Sequence, residues 1–180
     1  MNDAQELQEA ISVAYRVHAG EVDKAGVPAI LHSLRVMTSV LQQTASLRLA
    51  AVAVLHDVLE TKKFSANDMK VAGFSEFVIS HVRTLTRDSG VSYDGYISVI
   101  CQSPLSAVVK RADLIDNLRW HESGRARLAP EFVLPISLRD RYTAALRRVE
   151  VAATSWESAL LSNETYTERS NRNALLRSVK

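Results

Sequence analysis

Cysteine is nearly missing from this sequence. Cys101 stands alone among 180 residues, so no intramolecular disulfide can form. Its setting, Val99-Ile100-Cys101, is that of a helix interior, and it reads as a small buried hydrophobe rather than a nucleophile. Glycine and proline are scarce too, six and four, which suits helices joined by short loops. Aromatic residues are only 6%, so the core must be built from Leu, Val, Ile and Ala. A charge excess is also lacking: 22 basic against 20 acidic residues give a net +2. That balance argues against an extended nucleic-acid partner, which needs a clear basic surplus. It leaves room for a small basic pocket that takes a phosphorylated metabolite.

Long apolar runs are absent as well. No stretch reaches the roughly 18 residues of a membrane span, and no membrane partner is expected. The opening Met1-Asn2-Asp3-Ala4-Gln5-Glu6 has neither the basic nor the apolar region of a signal peptide, so the expected location is the cytoplasm. No Gly-rich phosphate loop is present, which disfavours ATP-driven phosphoryl transfer. β-type alternation, repeats and low-complexity segments are missing.

What remains is helical periodicity. Residues 3–18 carry Leu7, Ala10, Ile11, Ala14 and Val17 at steps of three and four, with Asp3 as N-cap. A second helix is expected over about 29–43 and a third over 47–59. The third is capped by Ser46, and its stretch 49–55 is apolar all round, the mark of a central helix. Ser65 with Asp68 forms a capping-box pattern. Further helices are expected over about 75–86, 93–101 and 104–120, then an irregular stretch over 121–137. A long last helix over about 138–161 has Leu138, Tyr142, Ala145, Leu146, Val149 and Ala152 on one face, either core or a homo-oligomer contact. The expected architecture is all-α: a single compact helical domain over 1–162 with a long C-terminal helix, then a polar tail over 163–180.

The chemistry concentrates at His56-Asp57, at the end of the most buried helix. A charged pair among Val54, Leu55, Val58 and Leu59 needs partners, because an unpaired buried charge is very costly. A salt-bridge network or a metal ion can supply them. On a continuing helix Glu60 lies near both residues. His32 in the first turn of the second helix, and Lys110, Asp113 and Asn117 on one stripe of a later one, have the composition to complete a site. Two imidazoles and two carboxylates drawn from these residues form a mixed shell that suits Mn²⁺ or Fe²⁺, with Zn²⁺ also admissible.

These segments resemble the HD superfamily. More narrowly, they resemble the hydrolase domain of bifunctional alarmone synthetase-hydrolases and the small alarmone hydrolases. The residues from Ala14 to His32 resemble the first motif, Ala53 to Glu60 the second, and Lys110-Arg111-Ala112-Asp113 with Asn117 the third. The resemblance implies a helical domain, a Mn²⁺ ion on His32, His56, Asp57 and Asp113, and a small phosphorylated nucleotide as substrate. The implied reaction is hydrolysis of the 3′-pyrophosphate of ppGpp to GDP and pyrophosphate. Glu60, with Asp57, would be catalytic and handle the attacking water. Lys24 would lie beside the nucleotide and Asn117 near the sugar and phosphate, with Lys110 a further phosphate contact or a support for a carboxylate.

The chain departs from that pattern at several positions. Thr61 replaces the second acid of a Glu-Asp pair, Asp23 replaces an Arg that packs on the base, Ala29 before His32 replaces a Tyr, and Ser33 after it replaces a Pro. Trp120 stands where a small hydroxyl residue is common. Two other readings therefore stand beside the alarmone one: the same chemistry on another nucleotide or phosphorylated cofactor, and a regulatory module that binds without turnover. Several residues read more simply. Asp116 reads as a surface carboxylate, and Arg139, Arg141, Arg147 and Arg148 as a solvated face. His18 reads as a C-terminal helix residue, with support of the ion as its functional alternative. His81 and His121 have no supporting pattern, and Trp156 reads as core or interface.

Overall fold

The computed structural model describes residues 1–23, 25–119 and 129–163, with Asn163 by its backbone alone. Lys24, Trp120, His121 and the tail beyond 163 lie outside the described residues. Among the described residues the structure is all-α, and the one β feature is an isolated bridge between Val22 and Pro28. The helices are α1 (Asp3–Val17), α2 (Ile30–Thr44), α3 (Leu47–Leu55), α4 (Ala66–Val71), α5 (Glu76–Leu85), α6 (Tyr93–Ile100), α7 (Pro104–Leu118), α8 (Ile136–Ala153) and α9 (Trp156–Asn163). No described helix is long and apolar enough to cross a membrane.

Serine starts most of these helices. Ser46, Ser65, Ser75, Ser92 and Ser103 each accept a hydrogen bond from a first-turn backbone N–H of α3 to α7. Each cap satisfies a donor that the helix leaves orphaned, an effect of about 1 kcal/mol. Asn2, not Asp3, caps α1, through a reciprocal capping box with Gln5. Pro104 stands at the first turn of α7, where its missing N–H costs nothing.

The all-round apolar stretch behaves as its composition demands. Every residue of α3 from Leu49 to Leu55 is buried, and the helix packs against α1, α2, α5 and α7. The core is aliphatic, with Phe74 and Tyr96 as its buried aromatics. Cys101 is partly buried against it.

Two expected helices end early. The α-helix that enters His56 stops at Leu55, and Val58–Thr61 forms a 3₁₀ turn instead. His56 Nδ1 lies 2.8 Å from the Ala53 carbonyl, the group that the N–H of Asp57 would need for the next α-turn. The turn then closes at Lys62, which adopts a left-handed conformation. The long last helix is also broken, into α8 and α9, at Thr154-Ser155. There the Thr154 hydroxyl donates back to the Val151 carbonyl and the Ser155 carbonyl accepts from Ala159 N. Side-chain competition for the backbone favours such a break.

Candidate metal centre

Three elements carry the site. α2 brings His32 in its first turn, the end of α3 brings His56 and Asp57, and α7 brings Asp113 from its buried face. His32 Nε2 lies 3.1 Å from Asp113 Oδ1 and 3.8 Å from Asp57 Oδ2. His56 Nε2 lies 3.0 Å from the same Asp57 oxygen and 3.9 Å from the same Asp113 oxygen. The two imidazoles meet edge to face, with centroids 5.2 Å apart. One donor atom each from His32, His56 and Asp113 falls within 4.8 Å of the others, so this cluster could hold a metal ion.

Each ring is turned so that Nε2 faces the cluster. His56 Nδ1 is committed to the Ala53 carbonyl, the same contact that ends α3. His32 Nδ1 is 2.7 Å from Asp116 Oδ2, and Arg35 holds both oxygens of that carboxylate at 2.7 and 3.1 Å. Asp116 is therefore not the surface carboxylate its sequence position suggests: its side chain is 10% exposed and it orients a histidine. A carboxylate behind a histidine is the usual support of a metal ligand. Its place three residues after Asp113, on the same face of α7, is the signal that could have revealed it.

Asp113 is equally constrained. Asn117 donates to Oδ1 at 2.6 Å, and the Lys110 ammonium sits 2.7 Å from Oδ2. Lys110 lies over the Tyr96 ring at 5.2 Å, and the Tyr96 hydroxyl donates to the Leu85 carbonyl, which ties α6 to the end of α5.

Without an ion these groups form a buried ion network. Burial alone would lower the His32 pKa, but its hydrogen bonds to Asp113 and Asp116 outweigh it and hold the ring up to about 10. His56 is raised against its own burial by the charge of Asp57. Burial raises Asp57, yet the His56 charge brings it down to about 2. Asp113 falls well below the usual carboxylate range because the Lys110 charge overcomes its burial. The reverse attraction raises Lys110, against the burial that would lower it.

The residues present fit a divalent ion. His56 Nε2 is fully buried and has no hydrogen-bond partner despite its contact with Asp57. Two neutral imidazole nitrogens with carboxylate oxygens form a donor set suited to Mn²⁺, Fe²⁺ or Zn²⁺.

A cavity of about 490 Å³ opens over the cluster, within the range of small-ligand sites. His32, Asp57, Asp113, Lys110 and Asn117 line it, and so does Glu60. Glu60 reaches it from the 3₁₀ turn rather than from an α-helix face, and accepts from Arg87 N at 3.4 Å. Its pKa is raised, first by burial and then by the charge of Asp57. Thr61 donates its hydroxyl to the Val58 carbonyl at 2.8 Å. Asp23 also lines the cavity, but its Oδ1 accepts from Ala25 N and Val27 N and shapes the loop over 23–27.

Arg87, Tyr93 and Arg141 are among the cavity residues that escaped the sequence. Arg87 follows α5, Tyr93 opens α6 and Arg141 lies in α8. Arg141 places its guanidinium 4.8 Å from the centre of the Tyr93 ring, so one member of the expected solvated face turns inward. His81 is spent on the Phe77 carbonyl, and Trp156 packs against the core.

The helical arrangement and this cluster define the class: an all-helical domain with a candidate metal centre. A solved structure described as a metazoan ortholog of SpoT that hydrolyzes ppGpp and plays a role in starvation responses shares the fold. It aligns with a TM-score of 0.62 and 23% identity over 83% of this chain and 85% of that one. No family model and no curated protein matches the sequence.

Proposed function

We propose that the chain is a metal-dependent phosphohydrolase that removes the 3′-pyrophosphate of (p)ppGpp or a closely related nucleotide. One observation carries the proposal: the Nε2 atoms of His32 and His56 converge with Asp57 Oδ2 and Asp113 Oδ1 within 3.0–3.9 Å at a cavity of nucleotide size. A ppGpp hydrolase of the same fold supports the substrate class. A divalent ion on these four residues, Mn²⁺ by the resemblance, would supply a Lewis acid that acidifies water and neutralises phosphate oxygens.

The chain's own residues do the rest. Asp116 and the Ala53 carbonyl keep both Nε2 atoms aimed at the ion. Lys110 and Asn117 hold the Asp113 carboxylate in one orientation. Glu60 accepts a proton from the attacking water, and its raised pKa suits a general base. Arg87, Arg141 and the free protons of Lys110 offer positive charge to phosphate oxygens along the cavity. Water adds to the pyrophosphate phosphorus next to the ribose. The bond from that phosphorus to the 3′ oxygen breaks, and the departing 3′ oxygen gains a proton, leaving pyrophosphate and, from ppGpp, GDP.

A second reading, binding without turnover, is favoured by Thr61, whose hydroxyl is spent on Val58 where a second acid would serve the water. Elemental analysis of the purified protein, followed by a nucleotide panel with Mn²⁺, separates the readings. About one divalent ion per chain with release of pyrophosphate from ppGpp is expected. Cleavage of other nucleotides alone would redirect the substrate. Nucleotide binding with no turnover across metals and pH would select the second reading.

A further inference from the structure

Among the described residues, three buried side-chain polar atoms lack a hydrogen-bond partner: His56 Nε2, His18 Nε2 and the Tyr93 hydroxyl. Buried polar atoms are rarely left so, and each exception asks for an ion, a water or a ligand. The candidate ion accounts for His56. The other two atoms belong to residues that line the same cavity, and His18 carries the fuller argument.

His18 stands at the C-terminus of α1, and its side chain is 5% exposed. Its ring is fixed from behind. Nδ1 lies 2.9 Å from Glu21 Oε2, the other oxygen of Glu21 lies 2.7 Å from Lys63 Nζ, and Lys63 donates in turn to the Val17 carbonyl at 3.1 Å. The hydrogen bond from Lys63, and next that from His18, hold the Glu21 carboxyl below its usual range, so it is an acceptor. Nδ1 must then carry the proton that Glu21 accepts. In the neutral ring Nε2 is left as a lone pair, and its partner must be a donor. Ionised phosphate offers only acceptors. A sugar hydroxyl or a base N–H offers a donor.

We infer that His18 is a specificity-determining residue whose Nε2 accepts a hydrogen bond from the sugar or base of the nucleotide, with Glu21 and Lys63 positioning the ring. The inference rests on the nucleotide reading above. It gives the wall at the end of α1 a role distinct from that of the cations Arg87, Lys110 and Arg141.

The test uses the full chain with Mg²⁺, which avoids paramagnetic broadening, and ¹⁵N-labelled histidine. His18 signals are assigned by comparison with His18→Gln. Addition of GDP should move the His18 Nε2 resonance, and inorganic pyrophosphate should leave it in place. In calorimetry, His18→Ala should weaken GDP about tenfold, the scale of one hydrogen bond, and leave pyrophosphate unchanged. Partial recovery is expected in His18→Gln, whose amide reaches toward the Nε2 position. A resonance that moves with pyrophosphate assigns the atom to phosphate and overturns the inference. GDP binding without movement overturns it while sparing the nucleotide reading. Failure of GDP to bind the wild-type protein at all removes both.

Discussion

The floor of the cavity and its rim are built by different rules. The floor is largely helix-borne and enclosed: His56 is 1% and Asp113 4% exposed, and the donor atoms of His32, His56 and Asp113 are each aimed by a second contact, while Asp57 follows α3 with its side chain 38% exposed. On the rim, Glu60 stands on a 3₁₀ turn, Arg87 on the connection after α5 and Arg141 on α8, and all three are exposed. All four floor residues match the motif of the resembled family, whereas the departures, Asp23, Ala29, Ser33 and Thr61, lie in or beside the rim. Of these, Asp23, Ala29 and Ser33 line the cavity. Metal chemistry tolerates little change in ligand type and distance. Substrate contacts can be exchanged singly, each altering affinity without dismantling the fold. The four floor types are therefore the more constrained part of the site and the rim residues the more exchangeable.

The largest expected effect comes from breaking the floor. Asp113→Ala should lose bound metal and activity together. It also strands Lys110 and His32 in a buried site, which should cost about 3–5 kcal/mol in urea unfolding. Retained metal would sink the ligand assignment. On the rim, Glu60→Gln should keep the metal and the fold while kcat drops about 10²- to 10⁴-fold, the range for a lost general base. Equal losses of metal in both variants would erase the distinction between floor and rim.

Asp116→Asn sharpens the comparison within the floor. It keeps all four donors but weakens the group behind His32, so metal affinity should fall about 10- to 100-fold by competition with a fluorescent chelator. An unchanged affinity would return Asp116 to a purely structural role.

The smallest effect is in protons. In the ion-free protein His32 is held up to about 10, so its contribution to stability is present below its unfolded pKa near 6.5 and fades as pH rises toward 10. Asp57, brought down to about 2, contributes above its unfolded value near 3.8 and fades as pH falls through 2. The ion-free cluster is therefore at its strongest from about pH 4 to 6.5. A metal must displace the imidazole protons. Its binding should release about one to two protons per chain near pH 7, read from calorimetry in buffers of different ionisation enthalpy. Zero release would mean that the histidines are not ligands.

Much of the fold was legible. The caps Ser46 and Ser65, the all-round apolar run before His56 and the stripe of α1 are local signals, and local signals survive folding. The end of α3 was not, because it depends on the His56 ring turning back onto the Ala53 carbonyl rather than on propensity. The break at Thr154-Ser155 was similarly hidden inside a continuous apolar stripe. At the site, the four floor residues were visible as types and order. Arg87, Tyr93 and Arg141 were not, because nothing local tells whether such a charged or aromatic residue turns toward solvent or toward a cavity; Asp116 had one local signal, its place three residues after Asp113, but spacing alone does not tell a supporting carboxylate from a surface one.

The chain's own order of residues determined an aliphatic helical domain and supplied two imidazoles and two carboxylates on three separate segments. Tertiary structure alone decided that α2, α3 and α7 bring those side chains within 4 Å of one another, and that Asp116 stands behind His32 at 2.7 Å. The reason is physical: periodicity specifies which face of a helix is buried, while the packing of several helices together specifies what that face meets.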